Sequence, residues 1–222
     1  MKKRLLALLL VLALMLPLGA LAASSSNVYY RVNTSWLRAR EEPSWNGRVL
    51  DSYRRDYAVS VLKNYKGGWS KVVFWPKGRV AYVQNQYLKA SSSYTAYVAM
   101  GRTLLRPGPG KNFKTGTTLN LGEKVTVLTH GKDWDYVFTG KGDGYIMNTL
   151  LTTKKPTGST IYVCNPAGRT VNLRRGPGKN FKVMAEFRPG TKGKLLEVGE
   201  IWSRVTINGK TGYMMSQYLS IE

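Results

Sequence analysis

A seven-residue segment that occurs twice places the strongest constraint on how this chain folds. Residues 108–114 read Gly-Pro-Gly-Lys-Asn-Phe-Lys, and residues 176–182 repeat that sequence after a shift of 68 positions. A Leu-Arg pair precedes each copy, at 105–106 and at 173–174, and a further step of 68 positions back reaches the Leu-Arg pair at 37–38. Self-similarity at a fixed period predicts several copies of one structural unit.

Landmarks downstream of each Leu-Arg pair occur three times in the same order. Each stretch contains a tryptophan with a valine three positions later, at Trp69, Trp134 and Trp202. A tyrosine follows, and six positions after it comes a closing leucine, at Leu88, Leu151 and Leu219. The landmarks predict three units, at residues 28–88, 94–151 and 159–219, with short polar linkers between them.

The sequence between these landmarks favours β-structure. Runs such as 124–128 and 194–198 are rich in strand-forming residues and are bounded by turn signals. Asn208 and Gly209 lie between two such runs and predict a tight hairpin turn. A unit of roughly 60 residues is near the lower limit for an independent core, so we expect small closed barrels without exposed edges.

The first 23 residues follow the order of a secretory signal. Basic residues at 2–4 precede an apolar run at 5–16, helix-breaking Pro17 and Gly19 come next, and alanines occupy positions 20 and 22. This order predicts a signal-peptide helix at 1–23, cleaved near Ala22 or Ala23, and a secreted protein. An uncleaved membrane anchor is the alternative, because the apolar stretch approaches the length of a membrane span.

The charge of the chain points to anionic partners. Lys and Arg number 34 against 12 Asp and Glu, which gives a formal net charge of +22. Such an excess favours nucleic acid, a membrane surface or an acidic polymer. Export makes nucleic acid an unsuitable partner, and after cleavage no segment is apolar enough for stable membrane insertion.

The repeated pattern resembles the bacterial SH3-like (SH3b) domain. The resemblance rests on Leu-Arg-x-Gly-Pro-Gly, a hydrophobic strand, Trp-x-x-Val, Gly-Tyr and a closing Tyr-Leu, and it covers residues 28–219 in three tandem copies. It implies an all-β protein of three tandem small SH3-like barrels that binds cell walls or proteins, often as an accessory to a hydrolase. The first copy departs from the pattern: it has no Gly before Pro43, and Arg55-Asp56 replaces the Pro-Gly turn of 189–190.

No constellation for catalysis is visible in the sequence. One His and one Cys exclude a metal cage of several imidazoles or thiolates, and no cofactor is expected. A cysteine nucleophile would need a histidine base, but Cys164 and His130 fall in different copies. The acidic residues form no recognisable acid–base pair for glycoside cleavage. We therefore expect a protein without enzymatic activity.

Candidate ligand-binding residues are the recurring aromatic and cationic side chains of the second and third copies. The tryptophan rings could stack on a sugar or a peptide, or could simply close the end of a barrel. The arginines after leucine could grip a carboxylate or phosphate, or could cap backbone carbonyls. The lysines could form a basic loop tip with the adjacent phenylalanine, or could be solvated singly. The candidates are Arg106, Lys111, Phe113, Trp134, Arg174, Arg175, Lys179, Phe181, Trp202 and Arg204.

Two functions remain open at this point. In the first, an exported binding protein docks on the cell envelope, with peptidoglycan peptides or anionic wall polymers as ligands and avidity from linked units. In the second, the units are interaction modules that recruit or regulate another secreted protein, such as a wall hydrolase.

Overall fold

In a computed structural model, residues 28–113 and 116–221 are described, and they form an all-β protein with several sheets. The expected signal-peptide helix at 1–23 lies outside the described residues. Among the residues described, no helix has the length and apolar character needed to cross a bilayer.

The first sheet contains seven antiparallel strands in the order β3-β2-β6-β5-β4-β1-β7. Its strands are β1 (Tyr29–Val32), β2 (Trp36–Arg40), β3 (Val49–Arg54), β4 (Ala58–Tyr65), β5 (Trp69–Phe74), β6 (Arg79–Gln84) and β7 (Leu88–Ser91). Short 3-10 turns at Lys66–Gly68 and Asn85–Tyr87 connect β4 to β5 and β6 to β7.

The central sheets comprise a five-stranded sheet in the order β13-β12-β11-β8-β14 and a two-stranded sheet of β9 and β10. Their strands are β8 (Tyr94–Val98), β9 (Thr103–Leu104), β10 (Thr118–Leu119), β11 (Lys124–His130), β12 (Trp134–Thr139), β13 (Gly142–Met147) and β14 (Leu151–Thr152). An isolated bridge between Arg106 and Tyr145 joins the loop after β9 to β13. A 3-10 turn at Asn148–Leu150 precedes β14.

The last sheet has seven strands in the order β17-β16-β20-β19-β18-β15-β21, the same order as the first sheet. Its strands are β15 (Thr160–Val163), β16 (Val171–Arg174), β17 (Val183–Phe187), β18 (Lys192–Glu197), β19 (Trp202–Ile207), β20 (Lys210–Met215) and β21 (Leu219–Ile221). The turn at Asn208 and Gly209 has φ of 48° and 74°, so the predicted two-residue hairpin between β19 and β20 is confirmed.

Closed barrels were expected, but none of the described sheets closes on itself. The outer strands of the last sheet, β17 and β21, pair on one side only within it. The free edge of β21 is satisfied by the neighbouring chain segment instead: the Gly101 N–H donates to the Leu219 carbonyl at 2.8 Å, and the Ile221 N–H donates to the Ala99 carbonyl at 2.9 Å. Contact between neighbouring sheets therefore protects this edge where barrel closure was predicted to do so.

The buried side chains form three clusters, and those of the first and last sheets each include residues from the central part of the chain. The cluster of the first sheet also contains Leu128, Tyr136 and Tyr145 from the central sheets. The cluster of the last sheet contains Leu121, which is fully buried there. Neighbouring sheets thus share apolar contacts, so each contributes to the stability of the next.

Candidate functional site

An aromatic cleft of about 300 Å³ opens in the first sheet. It lies between β2, the loop that follows β2, the start of β5 and the 3-10 turn before β7. We call it the tryptophan cleft, and its aromatic lining residues are Trp36, Trp45, Trp69 and Tyr87. Trp36 and Trp45 are 59% and 60% exposed, whereas Trp69 is 5% exposed and forms the floor. Large apolar side chains left open to solvent in a concave site are typical of ligand binding.

The exposed indole rings are held in place by their neighbours. Trp45 packs edge to face on Trp69, with ring centroids 5.2 Å apart. The Arg40 guanidinium lies 5.9 Å from the Trp45 centroid and donates to the Gly47 carbonyl at 2.6 Å, which ties the loop to β2. The Arg54 guanidinium lies 5.4 Å from the Trp36 ring. These cation–π contacts orient the rings before any ligand arrives.

The polar lining of the cleft is cationic. Arg38 and Arg40 line it together with Thr34 and Gln84, and none of its lining residues is acidic. Gln84 donates from Nε2 to the Gly67 carbonyl at 3.2 Å. Arg38 is exposed, and its side chain has no hydrogen-bond or ion-pair partner among the residues described. Its guanidinium is therefore free to bind an anion.

The register of β2 corrects the sequence alignment of the first copy. The 68-residue spacing equates Arg38 with Arg106 and Arg174. In the structure it is Arg40, not Arg38, that pairs with Tyr82 on β6. The equivalent pairs are Arg106 with Tyr145 on β13 and Arg174 with Tyr213 on β20. The first copy is therefore offset by two residues from the 68-residue alignment, and Arg38 lies exposed at the cleft.

The predicted binding residues of the central part lie close together, but their contacts are with one another, so Arg106 is not free for a ligand. Arg106 donates from Nη1 to the carbonyls of Lys111 and Phe113, at 3.2 and 3.0 Å, and its guanidinium lies 6.0 Å from the Trp134 ring. Phe113 turns towards the first sheet, with its ring centroid 6.1 Å from that of Tyr57. Arg106 therefore caps loop carbonyls, one of the two roles considered for it.

The predicted residues of the last sheet are more dispersed. Arg174 donates from Nη1 to the Phe181 carbonyl at 2.8 Å, so it too caps the loop. Phe181 is 42% exposed, and Lys179 is also exposed. The Arg175 N–H donates to the Lys182 carbonyl at 3.0 Å. Trp202 is half-buried at the start of β19, with exposed Arg204 two positions along the strand.

The residues of the tryptophan cleft were not among the sequence candidates. The departure of the first copy from the repeat directed attention to the other two copies. A signal was nevertheless present, because four of the six tryptophans, at positions 36, 45, 69 and 75, lie in the first copy. At the 68-residue spacing Trp45 aligns with Phe113 and Phe181, whereas Trp36 has no aromatic counterpart. Only the folded loop after β2 places the two tryptophans in one cleft.

Cys164 and His130, the two residues considered as a nucleophile and its base, have different neighbours. His130 Nδ1 lies 2.9 Å from Asp135 Oδ1 and 3.4 Å from the Tyr94 hydroxyl. Burial raises the pKa of Tyr94 to about 12. Cys164 lines a second cavity, of about 360 Å³, together with Met100 and Arg102, and burial raises the pKa of its thiol. In the described part of the chain no three His, Cys, Asp or Glu residues are grouped to hold a metal ion.

Comparison with known proteins identifies a family for part of the chain. Residues 169–220 match the sequence pattern of the family described as bacterial SH3 domain. Among curated proteins, YrvJ of Bacillus subtilis (strain 168), by its name a candidate N-acetylmuramoyl-L-alanine amidase, is 23% identical over 133 residues. The p60 protein of Listeria grayi, by its name a candidate endopeptidase, is 23% identical over 157 residues.

These alignments cover 56% and 70% of this chain but only 25% and 29% of the two relatives. Most of each relative therefore has no counterpart in the alignment. Among solved structures, NlpC1 and NlpC2 from Trichomonas vaginalis align over 90% and 87% of this chain and over 95% and 94% of their own, at 12% identity. Their TM-scores of 0.28 and 0.27 are too low to support a conclusion about fold or function.

The matched segment falls within the last sheet, which spans β15 to β21 and includes the Leu-Arg pair, the Gly-Pro-Gly loop and the closing leucine of the third copy. Residues 169–220 are a bacterial SH3 domain.

Proposed function

We propose that this chain is a secreted, non-enzymatic protein that docks on the bacterial cell envelope through three tandem SH3-like units, at residues 28–88, 94–151 and 159–219. Its ligands are peptidoglycan or an anionic wall polymer. The observation that carries the proposal is the bacterial SH3 domain at residues 169–220. The two relatives lend support, because one is named as an N-acetylmuramoyl-L-alanine amidase, the other as an endopeptidase, and both share sequence with this chain.

The charge of the chain supports an anionic envelope ligand. Removal of a signal segment at 1–23 would leave a net charge of about +19. Solubility needs far less than this excess, so attraction to a polyanion is the better explanation. That attraction must weaken with salt, since the Debye length falls from about 8 Å at 0.15 M to about 3 Å at 1 M.

A pull-down on purified cell walls tests the proposal. The protein is incubated with intact walls and with walls stripped of teichoic acid, across a salt series from 0.05 to about 1 M. We expect retention at low salt on at least one of the two preparations. Loss of retention only on the stripped walls would assign the ligand to the anionic polymer. No retention on either preparation at low salt would overturn the proposal.

The hydrolase names of the relatives make activity on the wall a question to test directly. Incubation of the protein with labelled peptidoglycan should release no soluble fragments, with a wall hydrolase as the positive control. Release of fragments would replace the binding proposal with an enzymatic one. If the protein sediments with walls only when a second secreted protein is added, it is an adaptor for that partner.

A further inference from the structure

The tryptophan cleft combines two features that together restrict its ligand. The first is a pair of open aromatic faces: Trp36 and Trp45 are each more than half exposed, and both rings are held by neighbouring guanidinium groups. A ligand that covers them must present a flat apolar surface. The ring of a pyranose sugar has such a surface in its C–H groups, whereas a polyol phosphate chain has no ring.

The second feature is the charge around these rings. Arg38 is free at the rim, and no acidic residue lines the cleft. In the adjoining loop Glu41 is neutralised by Arg48, at 2.9 Å between Nε and Oε2, and Glu42 does not line the cleft. A free guanidinium binds a carboxylate with two parallel hydrogen bonds. Wall peptides also carry amino groups, and the lining offers them no carboxylate.

From these observations we propose that the tryptophan cleft binds a glycan whose pyranose rings carry free carboxylates. The sugar rings stack on Trp36 and Trp45, and the carboxylate is bound by Arg38. This inference rests on the proposed function of envelope docking and names the ligand class of one site within it. The cleft volume of about 300 Å³ suits a short stretch of sugar chain.

The equivalent regions elsewhere in the chain lack this combination. Arg106 and Arg174 correspond to Arg40 and, like it, donate to a loop carbonyl. The positions that correspond to Arg38 are Leu104 and Asn172, and neither side chain is cationic. The loops there fold against their own phenylalanine: a Cβ added to Gly108 or Gly176 would lie 2.5 Å from that ring. The glycan site therefore belongs to the first sheet.

Binding is measured by titration calorimetry and by tryptophan fluorescence on the full chain. The main probe is a peptidoglycan glycan strand stripped of its peptides, in which the lactyl carboxylates of N-acetylmuramic acid are free. Oligogalacturonate provides the same chemistry from a different source, and the tighter of the two probes identifies the source. Neutral chito-oligosaccharide and isolated wall peptides are the comparison ligands.

The variants are Arg38→Gln and Trp45→Ala, with Arg188→Gln as a matched control. Arg188 is exposed in the turn that follows β17, so its replacement changes the net charge equally without touching the cleft. We expect Arg38→Gln and Trp45→Ala each to weaken binding of the carboxylated glycan by about tenfold or more, while Arg188→Gln leaves it unchanged. Because Arg38 is exposed, the Arg38→Gln variant keeps the fold, which circular dichroism verifies.

Several outcomes would overturn the inference. Chito-oligosaccharide binding as tight as that of the carboxylated glycan, unchanged by Arg38→Gln, would exclude carboxylate recognition. Wall peptides that bind in the cleft more tightly than either glycan would assign the cleft to peptides. If neither glycan binds while whole walls retain the protein, the inference fails and the proposed function stands. If walls do not retain it either, both fail.

Discussion

At the scale of single residues, buried tyrosine and aspartate side chains hold the first sheet to the central sheets. The Tyr145 hydroxyl is fully buried, accepts a hydrogen bond from the Ala58 N–H at 2.7 Å and donates to the Trp75 carbonyl at 2.9 Å. Burial raises its pKa well above the usual value. A neutral hydroxyl that satisfies a buried N–H and a partly buried carbonyl is costly to remove.

Replacement of Tyr145 by Phe should lower the free energy of unfolding by about 1–3 kcal/mol, because the Ala58 N–H and the Trp75 carbonyl lose their partner. Tyr213→Phe is the matched control, since Tyr213 occupies the corresponding place in the last sheet and its hydroxyl has no hydrogen-bond partner in the described part of the chain. That control should change stability by less than about 0.5 kcal/mol. Urea unfolding measures both, and equal losses would contradict the role of the bridge.

Asp135 should make stability depend on pH. It is buried, and desolvation raises the pKa of its carboxyl above 3.8, although His130, the Gly131 N–H and the Tyr94 hydroxyl oppose the shift. A raised pKa means that the folded protein holds this proton more tightly than the unfolded chain does. The stabilisation from this group is therefore fully present below its ordinary pKa and is lost as pH rises through the raised value.

Wild type and Asp135→Asn are compared by thermal unfolding between pH 3 and pH 7. We expect the stability of wild type relative to the variant to be greatest at the acidic end and to decline towards neutral pH. A His130→Asn variant removes the imidazole beside the carboxyl and should extend the decline to higher pH. A constant difference across the range would show that Asp135 does not govern this dependence.

At the scale of strands, the residue just before Tyr82, Tyr145 and Tyr213 must be small, because the chain that carries Arg40, Arg106 or Arg174 crosses close to it. In the last sheet Gly212 on β20 faces β16, and a Cβ there would lie 2.6 Å from the Arg174 carbonyl oxygen. In the central sheets Gly144 faces the Arg106 carbonyl oxygen, at 2.7 Å from such a Cβ. The corresponding residue of β6 is Ala81, which is buried, so only the first sheet accommodates a methyl group at this crossing.

Gly212→Ala should destabilise the protein by about 1–3 kcal/mol, because the clash is with backbone and one strand must move. Gly140→Ala is the control: nothing lies within 4 Å of the added Cβ, and its effect should stay within about 0.5 kcal/mol. Denaturant unfolding measures both variants. If Gly212→Ala is as stable as Gly140→Ala, the strands are not as closely packed as the structure indicates.

At the scale of the whole molecule, the sheets dock in the same manner twice. The turn before β4 contacts the loop between β11 and β12, and the turn before β11 contacts the loop between β18 and β19. Asp56 accepts hydrogen bonds from the N–H groups of Lys132 and Asp133, at 2.9 and 3.1 Å. At the second junction Asn120 donates to the Glu200 carbonyl at 2.9 Å, and Gly122 lies against Val198.

Asp56 has φ of 70°, a conformation that glycine adopts at the corresponding positions Gly122 and Gly190. Asp56→Gly therefore removes the docking carboxylate without backbone strain. We expect a loss of about 2–3 kcal/mol in unfolding free energy, and faster amide exchange at Lys132 and Asp133. Asp56→Asn, which keeps one acceptor, should lose less. Unchanged exchange in the glycine variant would mean that Asp56 does not hold this junction.

The sequence alone determined the short-range structure, because turns and strand patterns depend on neighbouring residues. The hairpin at Asn208 and Gly209 and the all-β content followed from local turn chemistry and strand propensity. The repeated motifs likewise predicted the bacterial SH3 domain at residues 169–220.

Only the tertiary structure decided the register of β2, the tryptophan cleft and the junctions between sheets. Arg38 is free for a ligand because the pairing of β2 with β3 and β6 places Arg40, and not Arg38, opposite Tyr82. The Tyr145 hydroxyl meets the Ala58 N–H across 87 positions of sequence. Contacts between residues so far apart in sequence depend on how the sheets pack against each other, and the 68-residue repeat does not predict that packing.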